Sequence, residues 1–255
     1  MLLQVHGNSL IYKKMIKVYT VFAIILVIFS CENRPCDNTV NGACPFPEIS
    51  DDLTIDERFK LLNLSEETLE CITTEGLVET CLSYPDLRLL WTRNSLQLGY
   101  DYIRSNFNGL RELEARKEAP KFLLKKYLRI NPATDTLNLA TSIEKGEYSF
   151  SVIYLALIFN QYTNIEPLTK DEIVELIEKS LFLNSQFDNE GLTLAPIMTL
   201  LGRLMKDNDY EPFVNAYNDN PGLQILIITG TFYSPSERSN IINLSENYLE
   251  YLKNL

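Results

Sequence analysis

Histidine is almost absent from this chain of 255 residues, whose one imidazole belongs to His6. The rest of the chain therefore cannot build a Ser-His-Asp or Cys-His nucleophile, or a zinc site with the usual histidine ligands. Glycine is also scarce, at 10 residues, and no Gly-x-Gly-x-x-Gly or phosphate-binding loop occurs, so no motif supports nucleotide binding. The five cysteines include no Cys-x-x-Cys pair. We therefore expect no metal and no cofactor.

Charge is missing from residues 18–29, an apolar run of about a dozen residues that follows Lys13, Lys14 and Lys17. The run has the length of a signal-peptide core and is too short to cross a hydrocarbon layer of about 30 Å. A small residue and then Cys31 follow it. This order resembles the lipobox of bacterial lipoproteins, a resemblance that implies acylation of the Cys31 thiol and removal of the preceding peptide. The alternative is a plain signal peptide or anchor.

The sequence predicts three regions. Residues 1–30 form the cleaved signal peptide, whether translation starts at Met1 or Met15. Residues 31–52 are rich in proline, asparagine and cysteine, lack periodicity, and are expected to form a flexible tether. Residues 53–255 form a single all-helical domain. The expected location is the cell envelope, with a lipid anchor in the outer membrane. The sequence allows either the periplasmic or the surface face of that membrane.

Removal of the signal peptide makes the protein strongly acidic. The whole chain has 23 basic and 34 acidic residues, and the signal peptide contains three lysines and no acid, so the mature net charge is −14. Nucleic acids and anionic lipids need clusters of Lys and Arg, so neither is an expected partner, and membrane contact is expected only through the anchor at Cys31. Such a surface either keeps an exported protein soluble or favours encounter with a basic partner.

Helical patterns dominate the proposed domain. Thr54-x-x-Glu57, Thr169-x-x-Glu172 and Ser234-x-x-Glu237 are typical capping boxes at helix N-termini. About ten helices follow one another with short polar turns, and residues 147–160, the most apolar stretch, predict a fully buried helix. We therefore predict an all-α fold of consecutive antiparallel hairpins, arranged as a solenoid-like stack or as an irregular orthogonal bundle.

The remaining cysteines divide into two pairs. Cys36 and Cys44 flank a polar turn, and in an exported protein a disulfide between them is plausible on position alone. Cys71 and Cys81 lie beside apolar residues at the end of one helical pattern and within the next. We expect both of these to be buried free thiols.

Three segments, residues 73–85, 107–113 and 123–127, resemble uncharacterised secreted or lipid-anchored proteins of Bacteroidetes-type bacteria, for which no activity is implied. Thr136, in Asp135-Thr136-Leu137, matches the short O-glycosylation pattern of those bacteria. The resemblance covers about the first half of the mature chain.

Two functions remain open at this point. The favoured one is a non-catalytic module that binds another protein or an envelope polymer, and an inhibitor or immunity-type role would suit the acidic charge. The alternative is a carbohydrate-active enzyme that uses a pair of carboxylates, which is chemistry that needs no histidine. Two facing carboxyl groups in one pocket would favour the enzyme.

Overall fold

The computed structural model describes residues 42–162, 168–187, 191–231 and 235–255. Within these residues the fold is all-α, as predicted, with helices and no β-strand. Two 3-10 helices, Leu87–Thr92 and Asn160–Tyr162, accompany the α-helices. The α-helices are α1 (Ile55–Leu62), α2 (Glu66–Cys71), α3 (Thr74–Leu82), α4 (Leu96–Asn106), α5 (Asn108–Ala115), α6 (Ala119–Arg129), α7 (Pro132–Asp135), α8 (Ser142–Phe159), α9 (Lys170–Gln186), α10 (Gly191–Asp207), α11 (Glu211–Asp219), α12 (Pro221–Thr229) and α13 (Pro235–Lys253).

Local sequence determines where several of these helices begin. At α1 the Thr54 hydroxyl accepts a hydrogen bond from the backbone N–H of Glu57 at 3.3 Å, and the Glu57 carboxylate accepts one from the backbone N–H of Thr54 at 2.9 Å. The same reciprocal pair, Thr169 and Glu172, opens α9. Each box provides partners for backbone donors that have none inside the helix. Both predictions are confirmed, whereas Ser234 of the third box lies outside the described residues.

Helices α8 and α10 pack against each other and form the centre of the core. Helix α10 also contacts α9, α11, α12 and α13, while α6 and α3 pack on α8 from the N-terminal half. The Arg203 guanidinium of α10 donates to the Gln97 side-chain oxygen of α4 at 2.8 Å, across 106 positions of sequence. In a solenoid, each repeat contacts only its neighbours. The described helices therefore form an irregular bundle around one core.

The second half of the expected tether belongs to this core, which corrects the prediction for residues 31–52. Cys44 is buried, and its backbone N–H donates to the Thr80 hydroxyl of α3 at 2.9 Å. The Phe46 ring meets those of Tyr84 and Phe107 at centroid distances of 5.6 and 6.0 Å. The prolines of this segment suggested a linker, but apolar side chains between them provide the contacts that fix it.

Helix α8 corrects the prediction that residues 147–160 are buried throughout. Its last two turns, from Val152 to Phe159, are buried except for the half-buried Tyr154, but most residues of its first half are exposed. Ile143 is 72% exposed and Phe150 is 42% exposed. Apolar composition alone did not show which neighbours would cover the helix. No helix in the described ranges is long and apolar enough to span a membrane.

The cysteines differ most from expectation. Cys44 is a free thiol, so the predicted disulfide between Cys36 and Cys44 is wrong in this structure. Cys71 is disulfide-bonded, so the prediction of a free thiol there is also wrong. Cys81 is a buried free thiol, as predicted, and burial raises its pKa. The turn between Cys36 and Cys44 suggested a local pairing, but Cys44 is instead packed on Thr80 of α3.

Candidate functional site

Three tyrosine rings come together where α10 ends and α13 passes. Tyr210 lies 4.6 Å from Tyr248 and 5.9 Å from Tyr251 between ring centroids, and Tyr248 lies 6.3 Å from Tyr251. Tyr248 is buried and anchors the group, Tyr210 is half-buried, and Tyr251 is 51% exposed. The spacing of three residues between Tyr248 and Tyr251 places both side chains on one face of α13. The group therefore presents aromatic surface to solvent on a rigid base.

The end of α10 positions Tyr210. The backbone N–H of Tyr210 donates to the carbonyl of Met205 at 3.0 Å, and that of Asp209 donates to the carbonyl of Lys206 at 3.1 Å. These two bonds are those of a Schellman motif, with Asp209 at the position that usually holds glycine. Asp209 has φ +51°, in the left-handed region that L-residues adopt at a cost. The motif turns the chain so that Tyr210 lies beside α13.

Acidic residues adjoin the tyrosines in sequence, Asp209 and Glu211 beside Tyr210 and Glu250 beside Tyr251. Residues 207–252 contain seven acidic residues and one basic residue, Arg238. Lysines at the margins of this segment are engaged elsewhere, because Lys253 donates to Glu178 at 2.6 Å and Lys206 lies 4.9 Å from the Tyr217 ring. We call this region the tyrosine–acid surface, defined by Tyr210, Tyr248 and Tyr251 together with the exposed residues Asp209, Glu211 and Glu250.

Tyr210 and Tyr248 stay neutral over the whole physiological range. Burial, followed by the neighbouring rings, raises the pKa of Tyr248, and burial is also the main cause of the raised pKa of Tyr210. A neutral ring presents a negative face that attracts cations. Carboxylates beside such rings attract the same ligand. The chemistry of this surface therefore fits a Lys- or Arg-bearing partner.

A separate pocket lies between α3, α6 and α8, with a cavity volume of about 390 Å³. Its lining combines apolar side chains with the polar residues Glu79, Asp135 and Tyr148. This is the kind of pocket that the enzyme alternative requires, with two carboxylates in one cavity. The apolar lining residues are Leu82, Ile130, Val152 and Leu155.

Both pocket carboxylates have partners within the protein. Lys126 Nζ donates to Glu79 Oε1 at 2.6 Å. Asp135 Oδ2 accepts from the Tyr148 hydroxyl at 2.9 Å and from the backbone N–H of Asn131 at 2.8 Å. Burial and the Asp135 carboxylate raise the pKa of Tyr148, so this phenol stays protonated and donates. These contacts tie α3 to α6 and α7 to α8.

The sequence-predicted sites fall in three places. Cys31 and Cys36 lie outside the described residues, and Cys44 is buried in the core. Thr136 is half-buried, and its hydroxyl donates to the carbonyl of Pro132 at 2.7 Å, so its glycosylation stays a prediction. In the part of the chain that the structure describes, no three His, Cys, Asp or Glu side chains gather as a metal site would require.

Sequence reasoning missed the tyrosine–acid surface. Tyr248 lies on the buried face of the last helix, but nothing in the sequence links it to Tyr210, 38 positions earlier. A local signal was present in the run Asp207-Asn208-Asp209-Tyr210-Glu211 and in the spacing of Tyr248 and Tyr251. Comparison of the chain with protein-family profiles, curated proteins and solved structures finds no match.

Proposed function

We propose that this chain is a lipid-anchored protein of the cell envelope that binds a basic partner and catalyses no reaction. The partner is a protein or an envelope polymer that bears Lys or Arg side chains. The observation that supports this proposal is the tyrosine–acid surface, where the exposed Tyr251 ring and the half-buried Tyr210 ring occur with three exposed acidic residues and no basic residue among those that define it. The mature net charge of −14 would steer such a partner toward the protein.

The rings and the carboxylates have separate tasks in this proposal. The carboxylates of Asp209, Glu211 and Glu250 attract the partner electrostatically. At physiological ionic strength, salt screens this attraction beyond about 8 Å. The ring of Tyr251 offers a cation–π contact worth about 0.5–1 kcal/mol at an exposed site. Because Tyr248 is buried beneath it, little conformational entropy is lost when the partner binds.

The binding surface can be tested with decalysine as a probe and decaglutamate as its charge-matched opposite. The wild type should bind decalysine, with an affinity that falls as salt is added, and should not bind decaglutamate. Tyr251→Ala should weaken decalysine binding about twofold to fivefold, the equivalent of one exposed cation–π contact. Fluorescence anisotropy of a labelled peptide provides the measurement.

Charge reversal at two positions tests whether decalysine binds at the tyrosine–acid surface or responds only to the net charge of the molecule. Glu250→Lys lies on the tyrosine–acid surface, whereas Glu66→Lys makes the same change on the exposed side of α2. The first should weaken decalysine binding several times more than the second. Equal losses would mean that only net charge matters, and the proposed surface would then be wrong.

The anchor has its own test. Cys31→Ala removes the sulfur that would hold the lipid, so the chain should stay unprocessed or leave the membrane fraction. Membrane fractionation and intact mass compare the variant with the wild type. The same membrane retention and the same mass shift in both would remove the lipoprotein assignment while leaving the binding surface untouched.

The enzyme alternative has one observation in its favour, the presence of Glu79 and Asp135 in one pocket. Glycoside hydrolysis would need one of these carboxyl groups as an acid and the other as a nucleophile or base. Release of reducing sugar from envelope polysaccharide is the assay. Activity that Glu79→Gln or Asp135→Asn abolishes would replace the non-catalytic proposal.

A further inference from the structure

The cavity between α3, α6 and α8 is lined by two opposite charges that do not bind each other. Arg129 is the last residue of α6, and Asp135 is the last residue of α7. Both residues are exposed, and both line this cavity. In the part of the chain that the structure describes, no ion pair or hydrogen bond joins them. A ligand that carries a negative and a positive group could therefore engage both.

Each of these two charges has hydrogen-bonding capacity left for a ligand. The two shorter hydrogen bonds to Asp135, from the Tyr148 hydroxyl and the Asn131 backbone N–H, both reach Oδ2. Among the described residues, Oδ1 has only the Thr134 hydroxyl, at 3.4 Å. Arg129 donates no hydrogen bond to any described residue, so its guanidinium donors are available.

The other two charged residues of the lining are already paired. Lys126 Nζ donates to Glu79 Oε1 at 2.6 Å, and the two side chains are each about one-third exposed. The pair adds no net charge to the cavity. Arg129 and Asp135 are therefore the groups that would select the charge of a ligand.

The rest of the lining favours an apolar group on the ligand. Ile130, Val152 and Leu155 are buried and line the cavity together with the half-buried Leu82. The cavity volume of about 390 Å³ lies within the range of about 300–1,000 Å³ that is usual for small-molecule sites. Apolar surface with a few polar groups is also the usual composition of such sites.

We propose that this cavity binds a small zwitterion with an apolar side chain, either a free α-amino acid such as leucine or an apolar dipeptide. The Arg129 guanidinium holds the ligand carboxylate, with which it can form two parallel hydrogen bonds. Asp135 Oδ1 accepts from the ligand ammonium. The apolar side chain of the ligand packs on Val152 and Leu155. The cavity shares no residue with the tyrosine–acid surface, so this is a second binding function that does not depend on the first.

A set of leucine derivatives tests each part of the ligand separately. L-leucine should bind the full chain with a dissociation constant below about 1 mM. N-acetyl-L-leucine lacks the ammonium, L-leucinamide lacks the carboxylate, and glycine lacks the side chain. Each should bind at least about tenfold more weakly than leucine, because each loses one charged hydrogen bond or the apolar contact. Isothermal titration calorimetry provides the measurement.

Leucyl-leucine identifies the source of the ligand. Tighter binding of the dipeptide than of leucine would make a peptide the ligand, and the reverse would make it a free amino acid. If the dipeptide binds more tightly, its N-acetyl and amide derivatives replace those of leucine in the comparison. The proposal is overturned if neither compound binds below about 1 mM, or if removal of the ammonium, the carboxylate or the side chain leaves the affinity unchanged.

Three variants connect the ligand groups to the residues. Arg129→Gln should reduce leucine binding to the level of leucinamide, and Asp135→Asn should reduce it to the level of N-acetyl-leucine. Lys125→Gln is the matched control, because Lys125 is exposed on the same helix, donates to Glu75 at 2.7 Å and does not line the cavity. It should change leucine binding by less than about twofold.

Thermal unfolding shows whether each variant keeps the fold. Asp135→Asn could loosen α7, but Arg129 is exposed and without a hydrogen bond to the described residues, so Arg129→Gln should melt as the wild type does. A folded Arg129→Gln that still prefers leucine to leucinamide tenfold would refute the assignment of the carboxylate. An equal loss in Lys125→Gln would show that only the net charge matters, and the site would then be wrong.

Discussion

At the scale of single residues, Asp209 is the position where stability and binding are expected to conflict. It has φ +51°, a conformation that glycine adopts without steric cost, and its carboxylate belongs to the tyrosine–acid surface. Asp209→Gly should therefore stabilise the protein, raising the melting temperature by about 2–4 °C for a gain near 1 kcal/mol. It should also weaken decalysine binding. Thermal unfolding and anisotropy measure the two effects on the same sample.

Asp209→Asn is the control for this prediction. Asparagine tolerates the left-handed conformation as well as aspartate does, so the melting temperature should barely change. The lost charge should still weaken decalysine binding. Full binding by both variants would show that the Asp209 carboxylate plays no part in recognition.

A second residue-scale prediction concerns Asp86, whose buried carboxylate faces the Arg58 guanidinium. Arg58 Nε donates to Asp86 Oδ2 at 3.0 Å, and a second guanidinium nitrogen donates to Oδ1. Arg88, at 3.9 Å and mostly exposed, is a weaker partner. Arg58→Ala would leave a buried charge short of its main partner, so the free energy of unfolding should fall by about 3 kcal/mol. Urea denaturation measures the change.

The exposed pair of Lys125 and Glu75 is the matched comparison. Its two side chains are about half exposed, at 49% and 52%, and water screens their attraction. Lys125→Ala should cost less than about 1 kcal/mol. A loss equal to that of Arg58→Ala would contradict the argument from burial.

At the scale of elements, two helical glycines predict opposite effects of the same substitution. A Cβ on Gly99 of α4 would lie 2.2 Å from the Leu90 carbonyl oxygen in the neighbouring 3-10 helix, whereas a Cβ on Gly146 would meet nothing within 4 Å. Gly99→Ala should push these two elements apart and destabilise the protein by about 1–3 kcal/mol. Gly146→Ala should stabilise the exposed half of α8 by about 0.5–1 kcal/mol.

Denaturant unfolding of both variants checks this pair, and helix content by circular dichroism is the control that each still folds. A loss of stability in Gly146→Ala would contradict the open space around Gly146. Stabilisation in Gly99→Ala would contradict the close approach of α4 and the 3-10 helix.

The same elements show why the sequence predicts helices better than their surroundings. The starts of α1 and α9 depend on residues three positions apart, so the capping boxes were visible in the sequence. The exposure of Phe150 and the burial of Cys44 depend on neighbours far along the chain. Periodicity describes one face of a helix and does not say which other element covers it.

The candidate site follows the same rule. The Schellman turn at Asp209 and the spacing of Tyr248 and Tyr251 are local, but Tyr210 joins the two tyrosines of α13 only because α10 and α13 pack together. Cys44 shows the reverse error, since the nearby Cys36 suggested a short disulfide loop, whereas Cys44 is a free thiol whose backbone N–H donates to Thr80 of α3. Pairings across the fold cannot be chosen from spacing alone.

At the scale of the whole molecule, the missing histidine predicts a flat dependence of stability on pH. The proposed mature chain contains no imidazole, so few groups other than a chain terminus titrate between pH 5 and 8. Hydrogen bonds to neighbouring threonines lower the pKa of Glu57, Glu118 and Glu144 below the ordinary value of 4.5. Their stabilising contribution is complete above that value and is lost as the pH falls through their folded pKa values.

The alkaline limit has the opposite sign. Burial raises the pKa of Tyr127 and Tyr148 above the ordinary value of 10.0 and that of Cys81 above 9.0. These groups ionise first in the unfolded chain, so the stability they provide is complete below those ordinary values and is lost as the pH rises beyond them. Burial lowers the pKa of the Lys179 ammonium, so this group makes the folded state more stable as the pH rises. Its effect is smaller than the combined opposite effect of the thiol and the phenols.

We therefore expect the free energy of unfolding of the mature protein to stay constant within about 0.5 kcal/mol from pH 5 to 8, because no pKa shift cited above falls in that window. It should decrease below about pH 4.5 and again above about pH 9, because the carboxyl groups and then the thiols and phenols bind different numbers of protons in the two states. Urea denaturation at unit pH steps from 3 to 11 provides the curve. A step larger than about 1.4 kcal/mol between pH 5 and 8, the equivalent of one pKa unit, would reveal a strongly shifted carboxyl group. Such a group would direct attention to Glu79 and Asp135 in the pocket and to catalysis.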